Sequence, residues 1–189
     1  MKFNLVYRGD LKSNGDPAHK HEIRRVFHRQ LSNLWRDRPL GDLAKYIKID
    51  PDKGDALGIK RRGFKFVPLI SPRLELVASL EILLLRPESA GNMITQAGNI
   101  DNRLKTLMDA LQIPKENQIP KGATPQSDES FFYCLLEDDH LVTSLDIRTN
   151  KLYDTVQSSN EVLLVIGVTA DFTHGHFSNV LTPPQLAAR

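Results

Sequence analysis

GNIDNRLKTLMDAL, from Gly98 to Leu111, is the stretch on which the fold of this chain turns. Ile100, Leu104, Leu107, Met108 and Leu111 recur at helical spacing, which predicts a helix with one apolar stripe. Asp101, Lys105 and Asp109 stand four residues apart and stack on another face, with Asn102 beside the first. Two explanations compete for that polar stack. In one, Asp101 or Asn99 caps the helix start, worth roughly 0.5–2 kcal/mol, and Asp101 with Lys105 is a surface ion pair. In the other, the stack is one wall of a metal site.

The segments around this helix read mostly as strands. GFKFVPLIS and LELVASLEILLL precede it and should pair as neighbours, the second aligning Leu74, Leu76, Leu80, Ile82 and Leu84 on one face. FFYCLLED, LVTSLDIR and EVLLVIGVTA follow it as three more strands, although a helical turn fits the first nearly as well. At the start of the chain, KFNLVYRG alternates Phe3, Leu5 and Tyr7 with Lys2, Asn4 and Val6, which reads as a strand. From Ala18 to Arg36, Ile23, Val26, Phe27, Leu31, Leu34 and Trp35 mark an amphipathic helix with its arginines turned away, ended by Pro39. Leu40 to Ile49 suggests a further short helical piece, and PDKGDALG and PESAGNMITQAG have turn composition.

Strands outnumber helices and no regular βαβ alternation appears. The expected class is therefore α+β, a mixed or antiparallel sheet with helices packed on one side, in one domain over residues 1–189. A polar, proline-bearing loop near 114–130 should be mobile, and the tail near 171–189 irregular.

Composition excludes several function classes. No apolar run, Leu80 to Leu85 included, approaches the length of a membrane span, and MKFNLVYRGD lacks the features of a secretory leader, so a cytoplasmic protein without membrane contact is expected. Cys134, the only cysteine, lies in an apolar run and should be buried rather than catalytic. No serine sits in a nucleophile elbow and no glycine motif cradles phosphate. Aromatic residues make up 7% of the chain, too few for a single-strand stacking platform.

A net charge of +2 says little, but its distribution says more. Lys20, Arg24, Arg25 and Arg29 crowd one helix, and Lys60, Arg61 and Arg62 form a second cluster. Each is either a solvated face or a set of phosphate contacts. His19, His21 and His28 fall in the first cluster and should be solvated or phosphate-contacting as well. His174 and His176 could suit a transition metal, but without a third ligand an exposed loop is the simpler reading.

LLEDDHLV then adds Glu137, Asp138 and Asp139, consecutive acids that repel one another at the edge of a strand unless solvent or a cation neutralises them. With these residues the chain resembles the RusA-like family of Holliday junction resolvases. The family pattern is Asp-x-Asp-Asn, a Lys, Asp-Ala-Leu, and later Asp-Asp shortly before a Val. Here it reads Asn99, Asp101, Asn102, Lys105, Asp109-Ala110-Leu111, then Asp138, Asp139 and Val142, which covers about Gly98 to Val142.

The resemblance implies a homodimer that nicks branched double-stranded DNA symmetrically at four-way junctions in recombination and repair. Magnesium would be the cofactor, with Mn²⁺ able to stand in. Asp101 and Asp139 would be the primary metal ligands, Asp138 a second candidate, and Lys105 would stabilise charge developing on the phosphate. Asn102 and Asp109 would support the site. Asn99 occupies the family's first acidic position and offers a carbonyl oxygen without the charge, unless Glu137 or Glu81 supplies a replacement. The alternatives are a RusA-like DNA-binding or phage-accessory protein that no longer cuts, and a non-catalytic interaction module.

Overall fold

Strand alternation and helical periodicity both hold in the computed structural model, which describes residues 1–44, 47–53, 56–87 and 97–173. Strand β1 (Lys2–Asp10) buries Leu5 and Tyr7 and exposes the residues between them. It is followed by helix α1 (Pro17–Arg36), whose start is capped by the Asp16 carboxylate accepting from the His19 N–H. A short helix α2 (Leu40–Leu43) comes next, then β2 (Ile59–Arg61), β3 (Phe64–Ile70) and β4 (Leu76–Arg86). Helix α3 (Ala97–Leu111) is the motif helix, and β5 (Phe132–Leu136), β6 (Val142–Lys151) and β7 (Glu161–Phe172) complete the chain.

The strands form two sheets, of order β1-β7-β4-β6 and β2-β3-β5. Both are mixed: β6 runs parallel to β4, and β5 parallel to β3, while the other pairings are antiparallel. The α+β class is what the sequence predicted. The expected pairing of β3 with β4 is not: they belong to different sheets. Between them Pro72–Leu74 form a 3₁₀ turn, and Glu75 follows with a left-handed φ of 54°, which redirects the chain where a hairpin would have returned it. FFYCLL resolves as strand β5, with both neighbouring layers covering it.

One face of the four-stranded sheet carries Leu5, Ala78, Leu80, Ile82, Leu84, Leu164, Ile166 and Val168. It packs in a single core with Ile23, Phe27 and Leu31 of α1 and Leu107, Ala110 and Leu111 of α3. A second cluster, Phe64, Phe66, Phe132, Cys134, Ile113 and Ile119, covers the far face of the smaller sheet. Within it Cys134 is fully enclosed and burial pushes its thiol pKa up to about 12, so it is an inert core residue.

The polar loop after α3 is tethered rather than free. Arg61 and Arg62 donate to the Pro114 and Ile119 carbonyls, and Arg25 donates to the buried Glu129. β7 runs on to Phe172, so the first residues of the tail expected to be irregular are strand, and the rest of that tail, with His174 and His176, lies outside the described residues.

Candidate functional site

Helix α3 is held by two buried arginines, one near its middle and one at its end. Near its middle Arg103, 4% exposed, donates to the Leu11 carbonyl and to Asn160 Oδ1, which ties the helix to the place where β1 stops and β7 begins. Near its end Arg24 of α1, 1% exposed, donates to the Asp109 and Gln112 carbonyls. Those carbonyls lack helical partners and lie at the negative pole of the helix, so the guanidinium satisfies both the bonding and the charge. The sequence carried a signal for Arg103: it interrupts the apolar stripe between Ile100 and Leu107, three residues after one and four before the other.

Asp101 and Lys105 lie along the exposed side of α3. Asp101 is the fifth helical residue, inside the helix and not at a cap position. Neither side chain makes a hydrogen bond or ion pair among the described residues, so the surface-pair explanation of the stack does not apply. Asp109 behaves differently. Its carboxylate takes Lys20 Nζ at 2.7 Å with both side chains largely buried, and also accepts from the Gln112 and Gln118 amides. Asp109 and Lys20 hold α1 against α3. Of Asn102, the carbonyl accepts from the Thr106 hydroxyl, and Asn99 lies in the first turn of the helix.

Asp138 and Asp139 lie at the opposite end of α3. Asp138 caps a 3₁₀ turn, Asp139–Leu141, and accepts from the backbone N–H and Nδ1 of His140. The His140 ring, 2.7 Å away, is the main reason its carboxyl titrates below the usual range, and the Asp139 carboxyl adjoins it. The Asp139 N–H donates to Gln112 Oε1, and the Ile113 N–H to the Leu136 carbonyl, so this acidic corner is fastened to the last turn of α3. From Asp101 to Gln112 is eleven residues of helix path, roughly 16 Å along the axis. A single chain therefore does not bring Asp101 to Asp139. Among the described residues no group of three or more His, Cys, Asp or Glu side chains is placed to hold a metal ion.

Neither proposed replacement for Asn99 reaches the start of α3. Glu81 is exposed on the sheet face opposite the helices, since its neighbours Leu80 and Ile82 point inward. Glu137 sits with Asp138 and Asp139 and accepts from the Ser71 hydroxyl.

The basic residues are mostly spoken for by the fold. Arg24 is buried and cannot meet phosphate, which corrects the sequence expectation for it. Arg25, Arg61, Arg62 and Lys20 are engaged as described above. Lys60 pairs with Asp52 on an exposed surface, and Arg29 is exposed. His19, His21 and His28 are also buried rather than solvated. The His21 and His28 rings stack on Phe132, and His28 Nδ1 accepts from the Tyr133 N–H.

Burial lowers the pKa of all three histidines, that of His21 to about 4, and its Nε2 has no hydrogen-bond partner. A histidine kept neutral in the fold binds its proton more readily when unfolded, so its contribution is present above about pH 6.5 and is lost as pH falls toward 4. We expect unfolding free energy to drop by on the order of 2 kcal/mol between pH 7 and pH 5, before carboxylates titrate, as read from urea melts. A flat profile over that interval would show these rings to be hydrated.

Comparison with family models, with curated proteins and with solved structures finds no match for this chain.

Proposed function

We propose that this protein is a RusA-like endonuclease acting on four-way DNA, with Asp101, Lys105, Asp138 and Asp139 as its reacting residues and two copies needed to assemble them. The observation that carries this reading is that Asp101 and Lys105 are exposed and unengaged among the described residues, although Arg103, Thr106 and Asp109 of the same helix are used by the fold. A helix that needs neither for its cap nor for an ion pair leaves them to an external ligand. Lys105, a cation with its donors free, suits a phosphate oxygen on which charge develops.

Magnesium, when bound, polarises a phosphoryl oxygen and lowers the pKa of a water. One copy does not fit that ion as a resolvase site would require, since its carboxylates fall at two ends of α3. Reading the chain as a nuclease therefore entails a homodimer in which the ends come from different copies. Cleaving a junction symmetrically requires two such sites, which a two-fold axis supplies. Arg29 and Lys60 are the basic residues best placed to add backbone contacts, since the Lys60 pair with Asp52 is solvent-exposed and cheap to exchange.

Incubating the protein with a labelled four-way junction, with and without Mg²⁺, tests the proposal. Paired nicks that require the metal are expected. Binding without nicking would favour the non-cutting alternative, for which Asn99 is the sequence argument, and absence of binding would remove both. Asn99→Asp restores a carboxylate beside Asp101 and should lower the magnesium needed for half-maximal cutting by roughly tenfold, as an added charge at close range would. An unchanged magnesium titration would show that position 99 does not face the ion.

A further inference from the structure

We infer that β6 is a dimer seam, pairing antiparallel with β6 of a second copy, and that this seam sets α3 of each copy at the same end and on the same face of the dimer as Asp138–Asp139 of the other. The seam stands on the fold alone; its role in completing a metal site rests on the function proposed above.

The two edges of the four-stranded sheet are treated differently. At β1 the edge is covered at its centre: Gln30 of α1 accepts from the Val6 N–H at 2.9 Å and donates to the Val6 carbonyl at 2.7 Å. The strand β6, VTSLDIRTNK, is ten residues long, contains neither proline nor glycine, and pairs only with β4 among the described residues. No described side chain bonds its outward backbone groups. A long edge of this kind, regular from Ser144 onward after one irregularity at Thr143, is a template for strand addition unless something blocks it.

Leu145 marks the same gap. It lies opposite Leu80 on the helix-covered face, yet it is 44% exposed where Leu80 is 1% exposed. The apolar floor beneath the helices simply ends at β6. A second β6 would extend that floor, with Ile147 of both copies continuing the row of Ile82 and Leu145 of each copy meeting Thr149 of the other.

The sequence of β6 also fits itself. With Ile147 on the two-fold axis, Asp146 of each copy stands opposite Arg148 of the other, on the open face of the sheet. Within one chain these two residues pair with each other at 3.1 Å while exposed by 50% and 77%, so exchanging partners costs little. Any register that set like charges opposite each other would be penalised.

An axis perpendicular to the sheet keeps the helices of both copies on one side and reverses the second copy end for end. The beginning of β6, just after Asp139, then lies beside the end of β6 in the other copy, where β6 adjoins Arg86 at the end of β4. That is also the end of the sheet to which Arg103, near the middle of α3, ties the helix, at β1 and β7 on the side away from the seam. Each Asp101 therefore shares an end and a face of the dimer with the Asp138–Asp139 pair of the other copy, and symmetry makes this arrangement twice.

Three measurements on the full chain test the inference. Ile147→Cys should oxidise to a covalent dimer, because directly opposed residues of antiparallel strands lie within disulfide range, and the native Cys134 is too buried to compete. Thr143→Cys, which faces Lys151 of the other copy in this register, should not. Asp146→Arg and Arg148→Asp should each shift the sedimenting species from dimer to monomer with unchanged circular dichroism, and the double exchange should restore the dimer. A wild-type monomer at micromolar concentration, or a folded Ile147→Cys protein that does not cross-link, would overturn the seam.

The site is tested by mixing Asp101→Asn with Asp139→Asn subunits. In a shared site one of the two centres is then intact, and single-strand nicking returns; if wild type cuts and the mixture does not, the shared site is wrong. A wild-type protein that dimerises and cross-links without cutting upholds the seam and overturns the nuclease reading instead.

Discussion

Asp101→Asn abolishes junction cutting, by at least on the order of a hundredfold, and leaves junction affinity unchanged or higher: this is the largest effect the proposed function predicts. The substitution removes one negative charge and almost no volume. Asp101 is exposed, is the fifth residue of α3 and has no partner among the described residues, so nothing in the fold depends on its charge. Unfolding should therefore move by less than about 0.5 kcal/mol, the range for surface positions away from caps and pairs. Losing a carboxylate near the scissile phosphate relieves repulsion, so binding holds or tightens while the chemistry fails. Gel-shift and nicking assays on the same preparation separate the two. Retained nicking would take Asp101 out of the reacting set and return the α3 stack to ordinary helix surface. A cap, by contrast, would announce itself as a stability loss of roughly 1 kcal/mol with no selective effect on cutting.

What the sequence discloses here follows from how local each signal is. The periods of α1, α3, β1 and β4 belong to their own residues, and each appears where periodicity placed it, except that Leu74, expected on the face of β4, falls in the 3₁₀ turn before it. Sheet membership is not local. Only the 3₁₀ turn and the left-handed Glu75 between β3 and β4 send those strands to different sheets, and a five-residue connector reads just as well as a hairpin. The polar side of α1 misleads for a related reason. His21, Arg24 and His28 share one stripe, and polar residues are assigned to water by default, but that stripe faces the aromatic layer of the smaller sheet.

The site divides in the same way. Residue types and spacings along α3 and in LLEDDHLV are visible in one dimension, whereas their separation depends on β6 running parallel to β4 and on α3 returning along the sheet before it. Parallel pairing requires a crossover, and this crossover leaves Asp101 and Asp139 at opposite ends.

Arg24→Ala is expected to cost about 3–5 kcal/mol of stability, the largest loss from any single change at the α1–α3 junction. The guanidinium is enclosed, and burial lowers its pKa without a carboxylate bonded to it; its partners are the Asp109 carbonyl at 2.7 Å, the Gln112 carbonyl at 3.4 Å and His21 Nδ1 at 3.4 Å. Truncation strands two helix-terminal carbonyls and empties the space the side chain filled. Arg24→Lys keeps the charge but replaces a planar fork with one point donor, and should recover only part of the loss. Urea midpoints at pH 7 measure both, and a change below about 1 kcal/mol for Arg24→Ala would mean that water reaches those carbonyls. The salt dependence of DNA binding distinguishes this role from the phosphate contact that the sequence suggested. A residue that touches phosphate flattens the salt slope by about one unit when removed, whereas a buried clamp leaves the slope alone in whatever fraction stays folded. Because Gln112, whose carbonyl Arg24 holds, also accepts from the Asp139 N–H, loosening this clamp shifts the acidic corner as well. Cutting should therefore fall in Arg24→Lys more than junction affinity does.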